Sequence, residues 1–236
     1  MALKTSLISH WKLEEASGTR NDIYGTNELT DNNTVTSATG KIDTSASFDS
    51  ATTEYLSIID NTSISVSDID FTFAAWIYLS DKTAVRSVLG QNGATGSLSH
   101  RIFYNNSSDR FVFQVSNNGT ASATATANNL GSPTANTWYY IVVWHDASGN
   151  TINIQVNNGT ADSTAHTTGV YDSNKSFFIG ADNSDSIQQY WNGRIDEVSF
   201  WKKVLTAQEK TDLYNGGSGL AFSSWDIVTS GFLAIL

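Results

Sequence analysis

Hydrophobic residues in this chain recur in short runs that are broken every few positions by Asn, Gly, Ser or Asp, a pattern typical of β-strands joined by turns. Phe71–Leu79 and 138–144 are strand-like runs rich in aromatic and β-branched residues. The runs 101–104 and 110–115 flank a five-residue loop and predict a hairpin. Thr151–Val156 alternates apolar and polar residues, which predicts a strand with one wet face.

One short motif occurs twice along the chain. The sequence QVSNNGTA at 114–121 returns as QVNNGTA at 155–161. Asn-Gly tolerates the positive φ angles of a type I′ turn, so both copies are predicted to be hairpin tips. Two copies do not make a repeat architecture, and we interpret them as two similar solutions to the same turn.

A single good helix is predicted near the end of the chain. Thr206 and Glu209 have the spacing of a capping box, and the Asn-Gly-Gly sequence at 215–217 favours a left-handed end. From residue 223 onward the chain becomes apolar. The predicted organisation is one domain over 1–222 and an apolar tail over 223–236, which either completes the domain or docks on another chain. If the tail is an anchor, deletion of 225–236 leaves a folded domain.

The charge of the chain limits the classes of molecule that it is expected to bind. The net charge is −10 with 15% charged residues, and Ser, Thr and Asn make up about a third of the chain. The chain is not predicted to bind nucleic acid, because affinity for phosphates depends on Lys and Arg. The chain has no Cys, which excludes disulfides and thiol catalysis. The sequence shows neither a signal peptide nor a run long enough to span a membrane.

Several motifs follow one another in a recognisable order. They are HWKLEE at 10–15, DIYG at 22–25, SFD at 47–49, YLSI at 55–58, FTFAAWI at 71–77, TWYYIV at 137–142, and FIG, WNGRIDEV and LTAQE at 178–180, 191–198 and 205–209. In this order they resemble the laminin-G-like domains of the concanavalin A-like lectin/glucanase superfamily. The resemblance covers roughly residues 8–216. It implies an all-β fold, a two-sheet antiparallel jelly-roll sandwich with one short C-terminal helix.

The resemblance also implies a structural calcium ion. The loop from Asp22 to Asn27 is similar to the metal loop of the family, and Asp196 matches a second carboxylate in the closing motif. Carboxylate and carbonyl oxygens are the ligands that Ca²⁺ prefers. The predicted metal ligands are therefore Asp22, Asn27 and Asp196. The alternative is that Asp22 makes an Asx turn and that Asp196 caps buried backbone amides.

Sugar binding needs aromatic rings beside amide or carboxylate groups, because the apolar face of a sugar stacks on a ring. The predicted candidates lie at two loops: Tyr104 and Asn105, and Tyr190, Trp191 and Asn192. For Trp191 the alternative is that it packs beneath the turn at Gly193. The tryptophans predicted to be core residues are Trp11, Trp76, Trp138, Trp144 and Trp201.

Catalysis is not predicted. A glycosidase of this fold needs carboxylates clustered on one face of a strand, whereas Asp196 and Glu197 are adjacent and are expected to point to opposite faces. The four histidines are scattered and do not form a triad with Ser and Asp.

Together these features predict a non-catalytic recognition module that binds glycans. Its low charge and its start without a signal peptide favour a bacteriophage virion surface protein, such as a head decoration, fibre or tail adhesin. Other virion subunits, contacted through 225–236, and a homo-oligomer are the predicted protein partners. The alternatives are a carbohydrate-binding module of a secreted bacterial protein, a purely structural capsid brace and, last, a glucanase. The predicted location is the virion surface, or the extracellular space.

Overall fold

A computed structural model describes residues 3–94 and 96–226 of the chain. The strands are β1 (Leu7–Trp11), β2 (Thr30–Asn32), β3 (Thr36–Thr39), β4 (Thr44–Phe48), β5 (Tyr55–Ile58), β6 (Phe71–Leu79), β7 (Arg86–Gln91), β8 (Leu98–Asn105), β9 (Arg110–Gly119), β10 (Ser122–Thr126), β11 (Trp138–Asp146), β12 (Thr151–Val156), β13 (Asp162–Ala165), β14 (Phe177–Ile179), β15 (Asp182–Asn183), β16 (Ile187–Gln188) and β17 (Gly193–Trp201). The helix α1 spans Ala207–Tyr214 and is followed by 3₁₀ turns at Asn215–Gly217 and Phe222–Ser224.

The strands form two large antiparallel sheets. One has eight strands in the order β13-β12-β11-β6-β17-β4-β3, with β1 also paired to β17. The other has seven strands in the order β10-β9-β8-β7-β14-β5-β2, and β15 and β16 make a separate small hairpin. The inner faces of the two sheets enclose the main core, which includes Trp11, Phe73, Phe113 and Trp191. The predicted two-sheet sandwich is confirmed.

The outer face of the eight-stranded sheet carries a second apolar layer. Trp76, Tyr140 and Trp144 on the sheet pack with Leu213 of α1 and with Trp225. Lys210 of α1 extends its ammonium over the ring of Trp144, at 3.7 Å from the ring centroid. Such a layer buries the outward residues of β6 and β11, which explains why these strands are apolar on both faces.

The predicted helix boundaries agree with the structure. Thr206 Oγ1 accepts a hydrogen bond from the backbone N–H of Glu209, and a carboxylate oxygen of Glu209 accepts one from the backbone N–H of Thr206. At the other end Asn215 adopts a left-handed conformation with φ 48°. The capping box and the Asn-Gly-Gly stop are therefore confirmed.

The two copies of the repeated motif lie at hairpin connections, as predicted. One leads from β9 to β10 and the other from β12 to β13. Positive φ angles occur at Gly119 in the first copy and at Asn157 and Asn158 in the second. Asn is one of the few non-glycine residues that reach this region at low cost.

The start of the predicted tail belongs to the domain. Trp225 is 2% exposed and lies in the outer apolar layer, which favours the alternative that the start of the tail completes the domain. Lys4 Nζ pairs with Asp226 Oδ2 at 2.5 Å. Residues 227–236, which carry the rest of the predicted anchor, lie outside the described residues. In the described part of the chain, no helix is both long and apolar enough to cross a membrane.

Candidate functional site

The two sheets differ in what lies on their outer faces. Within residues 3–94 and 96–226, the apolar layer outside the sandwich lies on the eight-stranded sheet, and no second such layer lies on the seven-stranded sheet. Alternate residues of a strand point to opposite faces. In β5, β8 and β14 the core-facing residues are Leu56, Ile102, Tyr104, Phe177 and Ile179. The outward residues of these strands therefore include Tyr55, Arg101, Phe103 and Phe178. We call this surface, together with Tyr190, the open face.

Aromatic rings occupy one side of the open face. The ring centroid of Tyr55 lies 5.7 Å from that of Phe178 and 6.3 Å from that of Tyr190. Tyr55 and Tyr190 are half-buried, while Phe178 lies almost wholly beneath its neighbours. Tyr190 is fixed by its hydroxyl, which donates to the carbonyl of Ile187 at 2.9 Å. Burial raises the pKa of Tyr55, so its hydroxyl keeps its proton at neutral pH. Two tyrosine rings are therefore held side by side at the surface.

Polar groups occupy the other side. The guanidinium of Arg101 lies over the ring of Phe103, with Cζ 4.4 Å from the centroid. Its Nε donates to Gln114 Oε1 at 2.6 Å, and its Nη1 donates to Asp182 Oδ2 at 3.0 Å. Asn92 Nδ2 donates to the same carboxylate. The charge of Arg101 is thus paired, and the open face combines aromatic rings with amides and a neutralised ion pair.

The structure separates the predicted sugar-binding residues. Tyr104 is 1% exposed and Trp191 is 0% exposed, and both rings point into the core. Neither ring can stack on an external sugar, so these two candidates are corrected. Asn105 Oδ1 accepts a hydrogen bond from the backbone N–H of Ser107 at 3.0 Å, within its own hairpin loop. Of the five candidates, Tyr190 lies on the open face.

Sequence reasoning missed Tyr55, Arg101, Phe103 and Phe178. A signal was present in β8, because Arg101 and Phe103 alternate with Ile102 and Tyr104. An arginine in the middle of such a strand points to solvent, so its face should have been identified as the outer one.

The predicted metal loop is closed by its own backbone. Asp22 is buried, and its Oδ1 accepts the N–H groups of His10 at 3.0 Å, Tyr24 at 3.1 Å and Gly25 at 2.9 Å. Its Oδ2 accepts the N–H of Asn27 at 3.1 Å. Both carboxylate oxygens already hold the loop in shape, as the Asx-turn alternative proposes.

Side-chain oxygens of the other two predicted ligands also accept hydrogen bonds from the protein. Asn27 Oδ1 accepts hydrogen bonds from Asn61 Nδ2 at 3.1 Å and from Ser63 Oγ at 2.8 Å. Asp196 Oδ2 accepts the backbone N–H groups of residues 41 and 42 at 2.7 and 3.0 Å. No group of three or more His, Asp or Glu side chains among the described residues could hold a metal ion. The arrangement therefore does not fit a calcium ion shared by Asp22, Asn27 and Asp196.

Calcium is accordingly expected to leave the stability of the domain unchanged. The measurement is the thermal midpoint of the purified chain in excess CaCl₂ and in EDTA. A ligand that binds only the folded state raises the midpoint. Equal midpoints are expected, and a rise of several degrees with calcium would restore the metal site.

The two adjacent carboxylates are placed by a β-bulge. Ile195 and Val198 both face the core, and the pairing of β17 with β6 loses register between Asp196 and Ser199. Glu197 has a φ of 51°. The extra residue puts both carboxylates outside the core, so the expectation that they point to opposite faces is wrong.

Glu197 is paired with a buried histidine. His10 Nε2 lies 2.9 Å from Glu197 Oε2, and His10 Nδ1 lies 2.7 Å from Ser199 Oγ. The imidazole stacks on Phe222, with centroids 4.6 Å apart, and Trp225 lies beside it at 4.8 Å. The C-terminal segment thus covers this pair.

These buried groups are held in their neutral forms. Burial raises the pKa of Asp196 and that of Glu197, each to about 8, and burial lowers the pKa of His10 to about 3. Both raised pKa values lie above neutral pH, so the two carboxyls are expected to keep their protons there. The cavity that Glu197 lines with Trp76 and Tyr140 has a volume of about 10 Å³, roughly the room for one water. A sugar ring does not fit there, and the cluster serves the packing of the outer layer.

Comparison with known proteins places the fold. A family model for the concanavalin A-like lectin/glucanases superfamily matches residues 49–209. Among curated proteins, none matches this sequence.

Solved structures of similar fold come from several sources. The binding domain of Paraclostridial Mosquitocidal Protein 1 superposes with a TM-score of 0.70 at 16% identity, over 91% of this chain and 53% of that chain. The binding domain of Botulinum Neurotoxin DC, in complex with SialylT, gives 0.69 at 14% identity, over 91% and 52%. Domain 4 of AbnA, a GH43 extracellular arabinanase from Geobacillus stearothermophilus, in complex with arabinotriose, gives 0.64 at 16% identity, over 88% and 97%.

This chain spans about half the length of the two toxin binding domains and nearly the whole of the arabinanase domain. At these identities the likeness concerns the fold. The family model covers more than half of the chain, from residue 49 to residue 209, and the two sheets have the jelly-roll arrangement that the motifs predict. The chain belongs to the concanavalin A-like lectin/glucanase superfamily.

Proposed function

We propose that this domain is a non-catalytic glycan-binding module and that the open face is its binding surface. The observation that carries the proposal is the pair of half-buried rings, Tyr55 and Tyr190, whose centroids lie 6.3 Å apart on the sheet without an apolar cover. Aromatic surfaces accept the apolar face of a sugar, and neighbouring amides fix its hydroxyls.

The polar side of the open face favours a neutral glycan. Arg101 is held by Asp182 and Gln114, so its charge is already compensated. The chain as a whole carries a net charge of −10, which repels polyanions. Three of the similar folds support a binding role in a limited way, since two are binding domains and one was solved with arabinotriose.

Replacing Tyr55 or Tyr190 with alanine is expected to weaken glycan binding by about ten-fold or more, because a stacking ring at the centre of a small site carries much of its affinity. The purified chain is first screened on a broad glycan array that includes arabinotriose. The best ligand is then titrated calorimetrically into each variant.

Tyr24→Ala is the matched control for these variants. Tyr24 is 44% exposed and lies beside Phe222, away from the open face. The Tyr24→Ala variant should bind the glycan with the same affinity as the unaltered chain. Absence of any array signal, or equal losses in Tyr24→Ala and Tyr55→Ala, would contradict the proposal.

The setting in which this module works is a separate proposal. A virion surface, or an extracellular location as part of a secreted protein, rests on the composition of the chain. Mass spectrometry of purified virus particles from a host that carries the gene tests the first setting.

A further inference from the structure

A second cavity lies at the edge of the sandwich, and none of its lining residues belongs to the open face. It has a volume of about 210 Å³ and forms where the edge strands β10 and β13 approach each other. Its lining comes from two segments: Ala127, Asn129 and Leu130 after β10, and Val156, Asn157, Gly159, Thr160 and Asp162 around the β12–β13 connection.

The second copy of the repeated motif builds one wall of this cavity. Backbone turns at Asn157 and Asn158 have φ angles of 51° and 54°, and the N–H of Gly159 donates to the carbonyl of Val156 at 3.0 Å. Asn157 Oδ1 accepts the N–H of Tyr140 at 2.8 Å, which locks the side chain to β11. The wall is thus rigidly attached to the sheet.

The opposite wall is tied to the first. The backbone N–H of Asn129 donates to Asp162 Oδ2 at 2.9 Å, and Asn129 Nδ2 donates to the carbonyl of Ala161 at 3.3 Å. Leu130 packs against the main core. The cavity is therefore held open by hydrogen bonds and packing that exist without a ligand.

Hydrogen-bond donors and acceptors remain available for a ligand around the cavity. In the described part of the chain, no side-chain hydrogen bond uses Asn157 Nδ2, Thr160 Oγ1, the amide oxygen of Asn129 or Asp162 Oδ1. Ala127, Leu130 and Val156 supply apolar surface between them. An amide donor, a hydroxyl and a carboxylate acceptor beside an aliphatic wall match a ring that carries several hydroxyls.

The size and charge of the cavity restrict the ligand further. Sites for drug-sized molecules begin at about 300 Å³, so this smaller cavity suits a single ring. The carboxylate of Asp162 disfavours an anion, and the aliphatic wall disfavours a hydrated metal ion. We infer that this edge cavity is a second binding site, separate from the open face, for one neutral sugar residue.

The experiment is a titration of the ¹⁵N-labelled chain, followed by two-dimensional NMR, with methyl glycosides of glucose, galactose, arabinose and N-acetylglucosamine. At least one of them should shift the side-chain amide signals of Asn157 and Asn129 and the backbone amides of 157–162. The affinity should be millimolar, as expected for a single ring.

Two variants test the contacts without disturbing the wall. Asn157→Asp keeps the oxygen that accepts from Tyr140 and removes the donor, and Thr160→Val removes only the hydroxyl. Each should weaken binding by about three- to ten-fold, the effect of one lost hydrogen bond. Thr120→Val changes the equivalent threonine of the first motif copy, which does not line the cavity, and should have no effect.

The outcomes separate this site from the open face. Shifts confined to the cavity that persist in Tyr55→Ala support the second site even if the open face binds nothing. If no glycoside shifts the amides of 157–162 at tens of millimolar, or if Thr120→Val weakens binding as much as Thr160→Val, the inference is overturned. Shifts confined to the open face overturn it as well and leave the proposed function intact.

Discussion

Replacing Trp225 with alanine should lower the free energy of unfolding by about 3 to 5 kcal/mol, the usual cost of emptying a buried tryptophan site. Trp225 is 2% exposed, and its ring stacks on Trp201 with centroids 5.7 Å apart. Its Nε1 donates to the carbonyl of Leu220 at 3.0 Å. Urea denaturation followed by tryptophan fluorescence and circular dichroism measures the loss.

Two further variants test whether the loss of stability is specific to the buried ring of Trp225. Trp225→Phe keeps most of the ring contact and should lose less than half as much. Ile59→Ala removes a side chain that is 81% exposed and should stay within about 0.5 kcal/mol of the parent. A chain ending at residue 224 should be at least as unstable as Trp225→Ala. Equal stability of that shortened chain and the parent would show that residues from 225 onward act outside the domain.

The stability of the domain should fall as the pH rises from 6.5 to 8. Burial raises the pKa of Asp196 and of Glu197 to about 8, well above the values near 4 that carboxyls have in an unfolded chain. Between these limits the folded state holds protons that the unfolded state has lost, so stability decreases with pH. The expected slope is on the order of 1 kcal/mol per pH unit for each group.

His10 acts in the opposite direction at lower pH. Burial lowers its pKa from 6.5 to about 3, so between these values the unfolded state binds the extra proton and stability rises with pH. The two effects oppose each other below pH 6.5. Above pH 6.5 the unfolded state progressively loses the His10 proton and the two carboxyls dominate the slope, which defines the window for the measurement.

Denaturation midpoints in urea at pH 6.5, 7, 7.5 and 8 test this dependence. Asp196→Asn retains an oxygen for the backbone amides of 41 and 42, and Glu197→Gln retains the size of the side chain beside His10, so both variants should fold and flatten the slope. Glu28→Gln, at an exposed position, should leave the slope unchanged. Stability that is flat or rises over this window in the parent chain would mean that the carboxyls are ionised in the folded state.

The fold was readable from the sequence because its signals are local and repeated. The aromatic run of β6 and the closing motif around β17 each identify a strand, and the capping box at Thr206 identifies the helix start. Each of these features depends on neighbours in the chain, and their order specifies the sandwich.

The site was less readable because burial depends on partners that are distant in sequence. Tyr104 and Tyr190 both stand next to Asn-rich loops, yet one ring points into the core and the other lies on the open face. The bulge at Glu197 adds one residue to β17. Because the alternation of side chains along a strand assumes no such extra residue, it predicts the wrong face of the sheet for residues after the bulge. Register and bulges are set by pairing between strands, which the sequence of one strand does not contain.

The contact between Lys4 and Asp226 has a geometrical consequence for how such a domain can be built into larger assemblies. The two described ends of the chain meet on the helix side of the sandwich, where Leu3 accepts a hydrogen bond from Trp201 Nε1. The open face lies on the opposite side. The domain can therefore be inserted into a surface loop of a host protein, or circularly permuted through a short linker, with its tyrosines directed away from the attachment point.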